Sequence, residues 1–457
     1  MAHTIGDVVE QGMCVGCGGC SIRTGGAIPV RIGRYGVYQA DLSSATAAQI
    51  EVANRVCPFA DGSKDEDRLA EERYGHLPSD PRLGRYLSIH AGRIRDEHRL
   101  IGSSSGGLTS WFLGELLDRG LVDGVVHVGR GSSDAMFGYT ISRSSDALLE
   151  SRKSMYSSTT LDEVVREVRG DGRTYAVVGV PCFITAMRHL EDEDPVLRRQ
   201  FTWHVGLVCG HLKSQFFAES LAWQAGVRPE DLESIDFRVK NPARRSYSYD
   251  YEVRARGRKP RLRRTQSAID GSWGYGAFQP AACNFCDDVF AETADVVFGD
   301  AWLPRYTDEW RGTNVVVTRS PDADRILAEG VDGGALLLEP LTPDNAALSQ
   351  AGNFRHRRDG LRVRLADDLA AGLSVPIKRV APGYDGISDE RVALIRQRRA
   401  MSELSLRAFA QAKTTGRLAD YTGPMRAAIA RYRRLESAGK SLPTRAREYL
   451  RSILRRG

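Results

Sequence analysis

No stretch of the 457-residue chain is apolar for long enough to cross a bilayer. The longest nearly apolar run, Tyr175 to Met187, falls well short of the roughly 20 residues that a spanning helix requires. The first residues, MAHTIGDVVEQG, have neither a cationic start nor an apolar stretch, so they do not read as a secretory signal and a cytoplasmic location is expected. Lysine is scarce as well, supplying eight of the 64 basic residues, the rest being arginine. That bias is ascribed first to genomic base composition.

Charge of one sign is not spread over the chain. Residues 391–457 hold 17 Lys+Arg against 4 Asp+Glu, a local excess of +13, so the overall +6 leaves −7 for the preceding 390 residues. A mildly acidic body with a basic tail does not describe a globally basic nucleic-acid binder, and no nucleic acid is expected as a partner. With 42% hydrophobic and 27% charged residues the chain reads as globular, and about 150 residues per domain suggests about three units.

Eight cysteines are present, and their spacing argues against four disulfides. Cys14, Cys17 and Cys20 form C-x2-C-x2-C among glycines, followed at a distance by Cys57-Pro58. Three thiolates at this spacing wrap one corner of a cubane and a remote Cys-Pro supplies the fourth ligand, the set for a 4Fe-4S cluster. A four-cysteine zinc site is the alternative; it usually pairs two C-x2-C knuckles and leaves the third cysteine unused. Cys182 and Cys209 follow strand-like segments, and Cys283 and Cys286 form a knuckle. From spacing alone these four are equally a second thiolate site or small buried residues.

Strands are predicted at LSIHAG, VDGVVHVGR, TYAVVGVP, FTWHVGLVCG, ADVVFGDAW and TNVVVTRS, with helices between several of them, which argues for an α/β sheet with parallel pairs. SYSYDYEVRARG suggests a hairpin with basic ends. Residues 375–385 look like a linker, and the chain beyond reads as basic helix. Gly102 to Thr109, GSSSGGLT, opens the helix that ends at Gly120. Free N–H groups there suit a pyrophosphate, and the alternative is a plain serine-capped helix start. The loop is neither G-x-G-x-x-G nor a Walker motif, which weakens ATP hydrolysis as a reading.

Taken together, C-V-G-C-G-G-C, V-C-P-F (56–59), S-S-G-G-L-T (104–109), V-D-G-V-V (122–126), G-V-P-C (179–182), G-L-V-C-G (206–210), C-N-F-C-D-D (283–288) and F-G-D-A-W (298–302) resemble the coenzyme F-420 hydrogenase/dehydrogenase beta-subunit family. That family includes F-420-reducing hydrogenase subunits, 7-hydroxymethyl chlorophyll a reductase and divinyl reductases, so membership does not fix the substrate. The resemblance implies an α/β fold, α+β overall: a small ferredoxin-like cluster segment (1–85), an FAD-binding core with a mixed sheet (86–165 and 166–375) and a basic helical extension (376–457).

It further implies an iron-sulfur flavoprotein oxidoreductase with FAD and two 4Fe-4S clusters, the second on Cys182, Cys209, Cys283 and Cys286. Ser104, Ser105, Gly106, Gly107 and Thr109 would hold the FAD phosphates, Gly179 and Pro181 would line the flavin, and Asp300 would lie near it. Coenzyme F-420 or a ferredoxin is the implied redox partner, with a partner subunit also admitted. A ferredoxin-dependent reductase of a specific organic substrate is the alternative within the class.

Where many members read G-S-K-Y, this chain reads Lys153-Ser154-Met155-Tyr156. The lysine is displaced by two positions, so its contact with a flavin or an anionic coenzyme is in question. His127, His204 and His211, nearest the strand ends, are candidate proton relays with structural roles as the alternative. The cluster Arg254, Arg256, Arg258, Lys259, Arg261, Arg263 and Arg264 suits an anionic coenzyme, an acidic donor or a solvated edge. The tail arginines suit an acidic partner, a membrane surface or a solvated helix. A zinc-stabilised module binding nucleic acid or protein explains the tail but not C-x2-C-x2-C or S-S-G-G-L-T.

Overall fold

The computed structural model describes residues 2–131 and 135–438. Arg445, Arg447, Arg451, Arg455 and Arg456 of the basic tail lie outside the described residues. The strands that position the site are β1 (Ser88–Ile94), β2 (Gly124–Arg130), β3 (Phe137–Ser142), β4 (Tyr175–Gly179), β5 (Phe201–Leu207), β6 (Leu232–Val239), β7 (Asp250–Ala255), β8 (Arg261–Arg264), β9 (Val296–Asp300), β10 (Asn314–Thr318) and β11 (Leu336–Pro340). The helices are α1 (Gly19–Arg23), α2 (Ala47–Val56), α3 (Leu108–Asp118), α4 (Pro181–Glu193), α5 (Phe216–Gln224), α6 (Ala351–Arg357), α7 (Asp389–Thr415) and α8 (Ala419–Ala438).

Eight strands make one mixed sheet in the order β11-β1-β10-β9-β5-β4-β2-β3. The inner strands β2, β4, β5 and β9 run parallel, and the flanking pairs are antiparallel. Every residue of β4, YAVVG, is buried, as a strand covered on both faces requires. One face packs on α4 and the cysteine-bearing N-terminal segment, the other on α3 and the helix Pro321–Asp332. α4 follows β4 at once, with Pro181 at its first position, where a missing N–H costs nothing.

β6, β7 and β8 form a separate antiparallel sheet. Its β7–β8 hairpin coincides with the expected one, and β6 adds a third strand. Arg254 on β7 and Arg258 in the turn after it pair with Glu252 and Asp231. Residues 375–385 are irregular, yet Arg379 pins them to the body through Glu292 at 2.9 Å.

Over its described residues the basic extension is helical from Asp389, and its arginines conceal an apolar stripe. Met401, Phe409, Tyr421 and Met425 of α7 and α8 are fully buried in a core shared with α5, β6 and β7. The Tyr421 hydroxyl donates to buried Asp270 at 2.9 Å, fixing α8 against that core. Among the described residues, no helix is long and apolar enough to cross a membrane.

Candidate functional site

Cys14, Cys17, Cys20 and Cys57 wall one small cavity with Val15, Gly16, Gly18 and Pro58. The loop needs its glycines. Gly16 has φ +69°, and a Cβ there would come within 2.6 Å of the Tyr38 carbonyl oxygen; Gly18 has φ +93°, with the Asp162 nitrogen 2.7 Å from its would-be Cβ. Cys57 sits at the end of α2, which packs on α1. The Ala40 N–H donates to Cys14 Sγ at 3.3 Å. Burial pushes the Cys17 thiol up to about 12, and the neighbouring Cys14 charge adds to this. Four such thiols become thiolates only with a cation among them.

Cys182, Cys209, Cys283 and Cys286 also come together. Burial raises the Cys182 thiol, helped by the charges of Cys286, Cys209, Cys283 and, from the first set, Cys17. The Leu212 N–H donates to Cys283 Sγ at 3.3 Å. Arg357 of α6, buried, touches Cys286 Sγ and donates to the Cys209 carbonyl at 2.9 Å. Tyr139 feels both sets, since Cys182 and Cys17 reinforce the upward push that burial gives its phenol. Among the described residues, no three His, Cys, Asp or Glu side chains converge as ligands for a single metal ion.

A cleft of about 320 Å³ opens at the carboxyl ends of β2, β4, β5 and β9, the edge where ligands of such sheets bind. Ser104, Ser105, Gly107, Thr109, Lys153, Ser154, Tyr156, Gly179 and Asp300 all line it, and so does Cys209. Gly106 and Pro181 do not. A Cβ on Gly106 would lie 2.6 Å from the Gly92 carbonyl oxygen, so this glycine lets the loop pack on β1 and β10.

The start of α3 is not serine-capped. Its N-cap is Gly107, at φ +79°, with no side-chain cap, and the serines are engaged elsewhere. Ser103 donates to the Arg99 carbonyl, Ser105 to the Thr313 carbonyl, and Ser104 accepts from the Ser154 N–H at 2.8 Å. Asn314 accepts from the Leu108 N–H, and Thr109 and Ser110, next in the turn, line the cleft.

Lys153 reaches Asp236 at 2.9 Å, and Asp300 is held by Arg238 through two contacts of 2.8 and 3.1 Å. Lys153 also has φ +148°, in the region that favours glycine. His127 and His211 line the cleft, whereas His204 lies fully buried between Glu191 and Asp295. His211 stacks on Trp273 at 4.4 Å, and its Nε2 is buried without a hydrogen-bond partner.

Two residues with chemistry were not singled out from sequence. Lys213 is buried in the cleft wall, 4.6 Å from the rings of both Phe217 and Trp273, and donates to the Ala277 carbonyl. Burial brings its ammonium down to about 7. Lys240 holds the glycine loop through the Ser105 carbonyl at 2.7 Å. With Lys153, three of the eight lysines gather here, and their scarcity in an arginine-rich chain was the available signal.

Two family models match the chain in succession. The first describes the N-terminal part of the coenzyme F-420 hydrogenase/dehydrogenase beta subunit and matches residues 89–166; the second describes the C-terminal part of that subunit and matches residues 172–344. Together they cover more than half of the chain. The protein belongs to this family. Cys182, Cys209, Cys283 and Cys286 lie within the matched segments, Cys14, Cys17, Cys20 and Cys57 precede them, and Arg357 follows them.

A coenzyme F-420-dependent sulfite reductase of Methanocaldococcus jannaschii is 23% identical over 350 residues, covering 72% of this chain and 48% of that protein. The beta subunit of a coenzyme F-420 hydrogenase of Methanothermobacter thermautotrophicus is 24% identical over 271 residues, covering 57% of this chain and 86% of the subunit. The chain thus spans about half the length of the sulfite reductase. A chain of the F-420-reducing [NiFe] hydrogenase complex of Methanosarcina barkeri superposes with a TM-score of 0.50 at 16% identity, over 65% of this chain and 98% of that one, a likeness of fold.

Proposed function

We propose that the protein is an iron-sulfur flavoprotein oxidoreductase, with FAD in the cleft and one 4Fe-4S cluster in each cysteine set. It passes electrons between a hydride carrier, coenzyme F-420 or an organic substrate, and a one-electron carrier such as a ferredoxin. Contiguity is the observation that carries this reading. Cys209 walls the cleft, shares its set with Cys182, and Cys182 stands within electrostatic reach of Cys17 in the first set.

The residues fit both groups. Two sets of four thiols, buried except for the half-buried Cys14, Cys57 and Cys182, each set with a backbone N–H on a sulfur, match what clusters ask of their ligands. The cleft offers a helix start whose N-cap residue, Gly107, has no side chain, an orphaned His211 Nε2 and the buried Lys213, all suited to an anionic, heteroaromatic ligand. When bound, FAD supplies hydride transfer and the clusters supply single-electron relay.

The chain's own part is positioning. The first turn of α3 orients phosphate, and the Ser154–Ser104 bond ties the 153–156 segment to that turn. Tyr139, Val178 and Phe183 make the apolar wall that excludes water on the β4 side. Burial lowers the affinity of the His127 and His211 imidazoles for a proton, which disfavours a charged imidazolium at the cleft.

Anaerobic stopped-flow mixing tests the assignment. Bleaching of bound FAD by reduced F-420 supports the F-420 reading; bleaching by reduced ferredoxin alone supports a ferredoxin-dependent reductase. Failure of both carriers contradicts the proposal.

A further inference from the structure

A second and larger opening, about 870 Å³, adjoins the cleft and shares Tyr156, Val208, Gly210, Trp273 and Asp300 with it. One side is the small β6–β8 sheet region, and the other is α8, which lies beyond both matched family segments. Arg426, Ile429, Ala430 and Arg433 face the chamber at positions i, i+3, i+4 and i+7, one face of the helix. The two arginines therefore stand about 10 Å apart along the axis.

Aromatic side chains make much of the remaining wall. Tyr247 and Trp302 are 42% and 40% exposed there, large rings left open to solvent beside Tyr249 and Tyr275. Uncovered rings grouped in a concavity mark a binding surface. The charge balance is one-sided. Asp300 is the one carboxylate among the lining residues, and Arg238 already neutralises it. Among the described residues Arg426 and Arg433 pair with no carboxylate; Arg433 donates to the Tyr275 hydroxyl at 3.0 Å.

We infer that this chamber binds the protein's organic redox partner, a planar conjugated molecule carrying anionic groups, and that Arg426 and Arg433 of the C-terminal extension grip its charged end. The shared wall at Tyr156 and Trp273 brings the ring end of such a molecule against the cleft, while the charged end extends along α8. The substrate class follows from the rings and from two guanidinium groups that, among the described residues, pair with no carboxylate; that its ring end reacts there rests on the flavin reading above. Specificity is then set by a helix that the matched segments lack.

Equilibrium dialysis of the full-length protein tests this with two probes: coenzyme F-420, a planar ring system with an anionic tail, and the same chromophore without its phosphate and glutamates. Arg426→Ala/Arg433→Ala should weaken F-420 binding by roughly 10- to 100-fold, the range for losing charge-assisted bonds, and leave the tailless chromophore unchanged. Arg426→Lys/Arg433→Lys should recover part of the loss and guards against an unfolded helix. Equal F-420 affinity in wild type and double Ala variant, or no binding of either probe to the wild type, overturns the inference. FAD content measured on the same samples separates the two readings, since a protein without FAD that still shows the arginine dependence refutes the flavin and not the chamber.

Discussion

Arg357 donates to the carbonyl oxygen of Cys209 at 2.9 Å while also touching the sulfur of Cys286, which puts a buried, permanently charged group over the second cysteine set. A cation there favours whichever cluster state carries more negative charge. Arg357→Met is expected to lower the midpoint potential of one cluster by about 60 mV, a tenfold change for one electron, and to leave the other unmoved. An EPR-monitored redox titration checks this.

Gly107 joins the glycine loop to α3. Its φ is +79°, and an added Cβ would lie 2.8 Å from Ile94 Cδ1. Gly107→Ala should therefore displace the first turn of α3, and FAD retained after desalting is expected to fall at least several-fold. Ser104→Ala, which removes only the acceptor for the Ser154 N–H, should cost less, about 1 kcal/mol of FAD binding.

Lys213 gives a pH signature. Its ammonium falls from the ordinary lysine value to about 7 through burial, so between about 7 and 10 the unfolded chain holds a proton that the folded chain has released. Stability of the FAD-free protein should thus rise with pH through this window, and Lys213→Met should flatten that rise. An anionic ligand beside the ammonium restores its proton, so FAD affinity should weaken as pH rises above 7 in the wild type and less so in Lys213→Met. Thermal melts and FAD titrations at a series of pH values read both effects.

The two cysteine sets should be separable. Cys57→Ser is expected to remove about half of the iron and keep FAD, because the cleft lies against the other set. Cys209→Ser should also cost about half of the iron, and it should perturb the flavin spectrum, because Cys209 walls the cleft. Iron and flavin assays on anaerobically prepared protein measure these outcomes.

The parallel strands were legible because each is a short apolar run between turn signals, and YAVVG, buried at every position, is the clearest case. Phe137–Ser142, FGYTIS, was not, since an edge strand mixes polar and apolar residues and follows a serine- and glycine-rich stretch. The cysteine spacing and glycine loop pointed to the site, but spacing cannot show that Cys209 faces the same cleft as Gly107. Lys213, buried by Phe217 and Trp273 from distant segments, left only its rarity as a hint. The extension read as a basic helix because Met401, Phe409, Tyr421 and Met425 are diluted among arginines; their common face exists only once α7 and α8 pair.

The composition of the protein purified without oxygen tests the central claim most directly. Two clusters and a flavin in one chain require about eight iron, about eight acid-labile sulfide and one FAD, with broad absorbance near ~400 nm. A colourless protein holding stoichiometric zinc, or one with iron and no flavin, would contradict it.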